Sequence, residues 1–219
     1  MTQANAYLEQ LTPDNAAVLF IDNQTTLMLG VQSIDLTLLK TNTEGLAKLA
    51  KLFDLPVVLT TTGGGANGPS GPLLKPITET FPNVGPVNRM GNLNAMDDPR
   101  FAKAVKDIGR RKLILSGITT DFCLVYPALS LIAQGYHVFI PIDASGSWTG
   151  AINDAALQRL IQAGATPTNV QSIAGELQNS AMNADAEATK ARLPQMMEWF
   201  GAYTPAPSII SMNGSDKEA

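Results

Sequence analysis

The sequence predicts an α/β fold of three layers, helices on both faces of a mostly parallel sheet, and three observations predict it. Short, uninterrupted apolar runs of strand length recur along the chain. Between them lie segments whose apolar residues fall three and four apart, and polar residues punctuate the two kinds. Runs without alternation suit strands buried on both faces, and their alternation with helices implies right-handed crossovers. Roughly six strands are expected on this Rossmann-like pattern.

Ala16 to Ile21 is the first such run, bounded by Asp14 and Asn15 before it and by Asp22, Asn23 and Gln24 after it. Pro56 to Thr62, Lys112 to Gly117 and His137 to Ile142 repeat the pattern, and Asn169 to Ile173 repeats it more weakly. Helical stripes fall on Leu46, Leu49, Ala50 and Phe53; on Phe101, Ala104, Val105 and Ile108; on Ala128, Leu129, Leu131 and Ile132; and on Ala156, Leu157, Leu160 and Ile161. Asp185 to Phe200 reads as a last helix ended by Gly201. At 219 residues the chain suits a single domain, expected over 1–204, with 205–219 as a C-terminal arm or frayed tail.

Fifteen Lys plus Arg against nineteen Asp plus Glu give a net charge of -4, which argues against a nucleic-acid partner. The charged fraction of 16% lies below the roughly 25% of an average soluble domain, so surface hidden in a homo-oligomer is expected. The start, Met1 to Gln10, lacks the apolar run of a signal peptide, and no stretch reaches the about eighteen apolar residues of a membrane span. A cytoplasmic protein without a membrane partner is expected, and a lone Cys123 fits a reducing compartment. One cysteine and one histidine, His137, leave no internal disulfide and no Cys/His zinc cluster.

In parallel sheets ligands bind beyond the carboxyl ends of the strands. Asp22 follows the first strand, and Gly117 to Cys123 follows the run beginning at Lys112. Thr120 or Asp121 is placed to cap a helix running through Cys123 to Ala133. In its first turn the helix dipole would favour thiolate, and backbone amides there would suit an oxyanion. The competing reading is a small buried hydrophobe. Gly63, Gly65 and Gly68 match a dinucleotide-loop pattern, but Pro69 and Pro72 prevent a helix from starting there, so the segment reads as a loop. His137 reads as structural.

The segments AAVLFIDNQ (16–24), NRMGNLNAMDDPRF (88–101), LSGITTDFC (115–123) and IDASGSW (142–148) resemble the isochorismatase-like cysteine hydrolases, and within them the YcaC-like branch. The resemblance spans about residues 14 to 180. It implies an Asp-Lys-Cys triad with Asp22 as acid–base and Cys123 as nucleophile. It also implies a cis peptide at Ile118 to Thr119 and an oxyanion hole from the amides of Thr119 and Cys123. Many members cleave C–N bonds through a thioester. Where most carry lysine at the end of the third strand this chain has Arg89, which stays protonated, so proton traffic falls on Asp22. Metal-using relatives carry Asp and His after the second strand; Thr60 to Pro69 has neither. No metal and no cofactor are therefore expected. The resemblance further implies a small-molecule substrate and a homo-oligomer, an octamer in the branch, and it puts Gln24, Asn92 and Trp148 forward as pocket residues. Asn92 and its neighbour Asn94 also read as turn residues, and Trp148 as a subunit contact. Two alternatives remain: a vinyl-ether hydrolase of isochorismatase type, and a non-catalytic oligomeric binding protein.

Overall fold

The structure, a computed structural model, describes residues 9–204, so the expected arm at 205–219 lies outside the described residues. Strands β1 (Ala16–Ile21), β2 (Val57–Thr61), β3 (Val87–Asn88), β4 (Lys112–Gly117), β5 (His137–Pro141) and β6 (Thr166–Thr168) form one six-stranded sheet in the order β3-β2-β1-β4-β5-β6. Every pairing is parallel. The central strand explains its own composition. Val18 and Phe20 enter one core with Ile114 and Phe139, while Ala17, Leu19 and Ile21 enter the other with Leu113, Leu115, Val138 and Ile140. A strand that buries both faces has no polar side to alternate.

The first core is closed by α2 (Leu36–Leu52), α7 (Val170–Ala184) and α8 (Ala186–Tyr203), through Leu46, Leu49, Ile173, Leu177 and Trp199. The second is closed by α4 (Pro99–Ile108), α5 (Val125–Ala133) and α6 (Gly150–Ala163), through Phe101, Val105, Leu131 and Leu160. Helix starts follow local chemistry: Asp35 accepts from the amides of Thr37 and Leu38, and Asp98 caps α4 ahead of Pro99.

Two sequence expectations are corrected. Asn169 to Ile173 is no strand: Asn169 caps α7 by accepting from the Ser172 amide at 2.8 Å. Val170, Ile173, Ala174 and Leu177 are buried at helical spacing, and the edge strand lies just upstream. The last helix also continues through Gly201 to Tyr203. Trp199 Nε1 donates to the carbonyl of Gly45 at 2.8 Å and Tyr203 OH to Glu44 at 3.1 Å. This docking on α2 outweighs the roughly 1 kcal/mol that a helical glycine costs.

The connections leave β1 and β4 toward opposite faces. The sheet therefore opens beyond their carboxyl ends, where the strand order reverses.

Candidate active site

Asp22 directly follows β1. Its φ of 56° is left-handed, a conformation that aspartate tolerates better than most side chains, and its amide donates to Thr60 O at 3.1 Å. The side chain is fully buried. Arg89 directly follows β3 and is 1% exposed. Its amide donates to Thr61 O at 2.8 Å, and its guanidinium runs back over the end of β2 toward β1 in the order the sheet dictates. On the way Nε donates to Thr60 Oγ1 at 2.9 Å; Nη2 reaches Asp22 Oδ2 as a buried ion pair, and Nη1 donates to the carbonyl of Asn92. All three nitrogens of the arginine are thus bound. Asp22 Oδ1, also buried, accepts no well-oriented hydrogen bond.

Cys123 arrives from β4. Gly117 ends that strand at a close approach, because a Cβ there would lie 3.0 Å from Ile21 O. The Ile118–Thr119 peptide is cis. A π-helical turn over Thr120–Leu124 then precedes α5, with Leu124 N donating to Thr119 O at 3.1 Å. The expected cap is corrected here, since neither Thr120 nor Asp121 caps the helix. The segment after β5 holds both residues instead: Thr120 N donates to Gly146 O at 3.0 Å, and Ser147 Oγ donates to Asp121 Oδ1 at 2.7 Å. The same segment accepts from Ser116 Oγ at Ala144 O (2.6 Å) and from Gly117 N at Ser145 Oγ (3.2 Å). Four hydrogen bonds from residues 144–147 therefore hold the turn that carries Cys123. Single π-turns of this kind concentrate at functional positions.

Cys123 is half-buried and interacts with the Asp22 carboxylate. Burial first, and then the charge and lone pairs of Asp22, push its thiol up to about 12; the Thr119 amide and the Arg89 charge oppose this and lose. Burial, and after it the carboxylate beside the sulfur, thus favour the thiol over the thiolate that a helix start alone would favour. Burial also raises the Asp22 carboxyl, against the opposing pull of Arg89 and Cys123, and so makes it a stronger base than a free carboxylate. Alkylation of Cys123 by iodoacetamide, followed by intact mass, should accordingly be slow at neutral pH and rise about tenfold per pH unit without a plateau below pH ~10. A plateau near neutrality would show a stabilised thiolate.

The remaining candidates separate by their partners. Gln24 is buried, with Oε1 accepting from Thr62 N at 2.8 Å and Nε2 donating to Gly71 O at 2.5 Å, so it braces the loop after β2. Asn92 anchors Arg89 through its carbonyl and leaves its side chain at the surface. Asn94 is bound to Asp97 at 3.0 Å and to Ser130 at 2.9 Å. Trp148 lies against Gly30, where a Cβ would come within 2.4 Å of its ring. Sequence reasoning missed Thr60, which sits beneath Arg89, and the Ser145 to Ser147 clamp. Thr60 lies one residue before the end of a buried strand among other β-branched residues, and the serines read as an ordinary turn; no local signal marks either. Among the described residues no group of three or more His, Cys, Asp or Glu is placed to hold a metal ion. None of their helices is long and apolar enough to cross a membrane.

Comparison with known proteins agrees with this fold. A family model described as the isochorismatase domain matches residues 16–172. The probable hydrolase YcaC of Escherichia coli is 40% identical over 174 residues, covering 80% of this chain and 83% of that protein. The crystal structure of the E. coli YcaC product, described as an octameric hydrolase of unknown specificity, superposes with a TM-score of 0.84 at 36% identity, covering 96% of this chain and 98% of that one. YcaC from Pseudomonas aeruginosa, solved with hexane-2,5-diol and covalent acrylamide, also gives 0.84, at 37% identity over 94% of this chain and 98% of that one.

Proposed function

Because the chain belongs to the isochorismatase family of hydrolases, we propose that it is a cysteine hydrolase, working without a metal, that cleaves an amide-like C–N bond of a small molecule through a thioester. The observation that carries this reading is the asymmetry of Asp22: one oxygen is held by Arg89, the other accepts no well-oriented hydrogen bond, and the thiol of Cys123 interacts with the same carboxylate.

The chemistry follows from that arrangement. As Sγ adds to the carbonyl carbon, Asp22 Oδ1 takes the thiol proton, so no standing thiolate is required. The carbonyl oxygen becomes an oxyanion, for which the amides of Thr119 and Cys123, at the start of and within the turn that carries the sulfur, are the proposed donors. When the C–N bond breaks, the proton passes from Asp22 to the departing nitrogen. Water then attacks the thioester while Asp22 takes its proton, the C–S bond breaks, and that proton returns to sulfur. Amide and water have become acid and amine, and the enzyme is restored. Arg89 holds Oδ2 throughout and moves no proton.

The covalent acrylamide of the P. aeruginosa relative supports a reactive nucleophile open to small neutral molecules in that protein, since acrylamide bonds to nucleophiles through its alkene and keeps its amide. A homo-oligomer is proposed on the octameric E. coli relative, and a cytoplasmic location on the lone cysteine. A second reading, acid-catalysed vinyl-ether hydrolysis, is favoured by the raised Asp22 carboxyl, which suits a proton donor. Intact mass spectrometry during turnover of small aliphatic amides tests the first reading. A transient acyl mass on the Cys123 peptide is expected, and product formation without any such species would overturn it.

A further inference from the structure

The structure assigns a substrate class to this site: we infer that it takes uncharged amides with an apolar body and disfavours compounds carrying a carboxylate or phosphate near the scissile carbonyl. This deepens the proposed function and rests on Cys123 being the nucleophile.

Charge at the site is already committed. The guanidinium of Arg89 binds Thr60 Oγ1, Asn92 O and Asp22 Oδ2, one partner on each nitrogen, and it is buried behind them. Arg100, the next cation near this end of β3, is bound to Asp98 Oδ2 at 2.7 Å and to Asn88 O at 2.7 Å. Asp22 retains an oxygen without a hydrogen-bond donor beside the thiol. A substrate carboxylate seated beside Sγ would therefore leave water, meet no free cation among these residues, and face a buried anion. Burying an unpaired charge is the costliest way to fill a site.

The side chains next to the reacting groups point to what does bind. Phe122 precedes Cys123 in the chain and is 46% exposed; Met90 follows Arg89 and is 85% exposed; Leu93 follows Asn92 and is 45% exposed. Single exposed apolar residues are ordinary, but these three adjoin the nucleophile, the arginine and the arginine's anchor. Asn94 Nδ2 donates to Ser130 Oγ on α5 at 2.9 Å, which ties the loop bearing Met90 and Leu93 to the helix that Cys123 leads into. These exposed apolar side chains, next in the chain to the reacting groups, are the residues assigned to the mouth of the site, whose buried arginine is closed off. A vinyl ether bearing carboxylates fits this mouth poorly; a neutral aliphatic or aromatic amide fits it well.

Alkylation of Cys123 in the assembled wild-type protein reads this preference without requiring turnover. At pH ~8.5, the iodoacetamide-to-iodoacetate rate ratio at Cys123 should exceed that of glutathione by about tenfold. N-hexyl chloroacetamide should react faster than chloroacetamide and with saturation. Phe122→Ser and Met90→Ser should each reduce that gain, read as the ratio to the iodoacetamide rate of the same variant. A ratio at or below that of glutathione, or no gain from the hexyl chain, overturns the assignment. The two proposals can fail separately. If Cys123 shows these preferences but never carries an acyl group during turnover, the hydrolase reading falls and the binding preference stands. If carboxylated amides acylate Cys123 as fast as neutral ones, the substrate class falls and the hydrolase reading stands.

Discussion

Cys123→Ala should lower amide turnover by about ten-thousandfold or more while leaving the fold intact, because it removes the only group able to form the acyl-enzyme. The structural cost should be small. Cys123 is half-buried at the margin of the second core, and the turn that carries it is held by backbone and serine contacts that involve no sulfur. The buried Asp22–Arg89 pair is untouched. Steady-state kinetics with an identified amide, paired with thermal unfolding, checks both halves. A folded variant retaining the wild-type rate would remove sulfur from the mechanism and favour acid-catalysed vinyl-ether hydrolysis, which needs Asp22 alone.

The second large effect concerns stability as well as rate. Asp22→Asn fits the same left-handed backbone, since asparagine also tolerates φ > 0, but it leaves the buried guanidinium of Arg89 without a counter-charge. Breaking a buried pair from one side typically costs about 3–5 kcal/mol. The urea midpoint should fall accordingly at unchanged slope, and turnover should collapse because no base remains for the thiol. Adding Arg89→Met should recover most of the lost stability and none of the activity, and a double-mutant cycle separates the two roles. If the double variant is no more stable than Asp22→Asn, the arginine contributes by its other contacts, to Thr60 and Asn92, rather than as the partner of a charge. Wild-type activity should fall on the acid side above the ordinary aspartate range. Asp22 must be unprotonated to accept the thiol proton, and burial raises its carboxyl.

The parts of this site that were legible in the sequence are those fixed by a single strand and its exit. A run buried on both faces shows as an unbroken apolar stretch, and the first polar residue after it marks the rim; Asp22 and the Cys123 turn were placed this way. The partnership of Arg89 with Asp22 was reached only through resemblance. It depends on β3, β2 and β1 lying side by side, and strand order is a property of crossovers rather than of any local pattern. The protonation of Cys123 depends on the assembled site for a related reason. A helix start is visible in sequence, whereas the burial of the sulfur and a carboxylate arriving from another strand are not, and burial first, then that carboxylate, raises the thiol. Asn169 misled because one apolar run serves a strand or a helix equally well until its cap is seen.

The contacts made by residues 144–147 bear on how such a site can be retargeted. The same segment that holds the nucleophile turn also takes the amides of Gln32 and Ser33 at Ser147 O, at 3.1 and 3.2 Å, so the brace on Cys123 is itself anchored to the chain after β1. Met90 and Leu93 lie outside the turn and share none of those bonds. Selection, or a protein engineer, can therefore rewrite what the protein accepts by changing these two residues, while the geometry of the nucleophile is set by a frame that those changes do not reach.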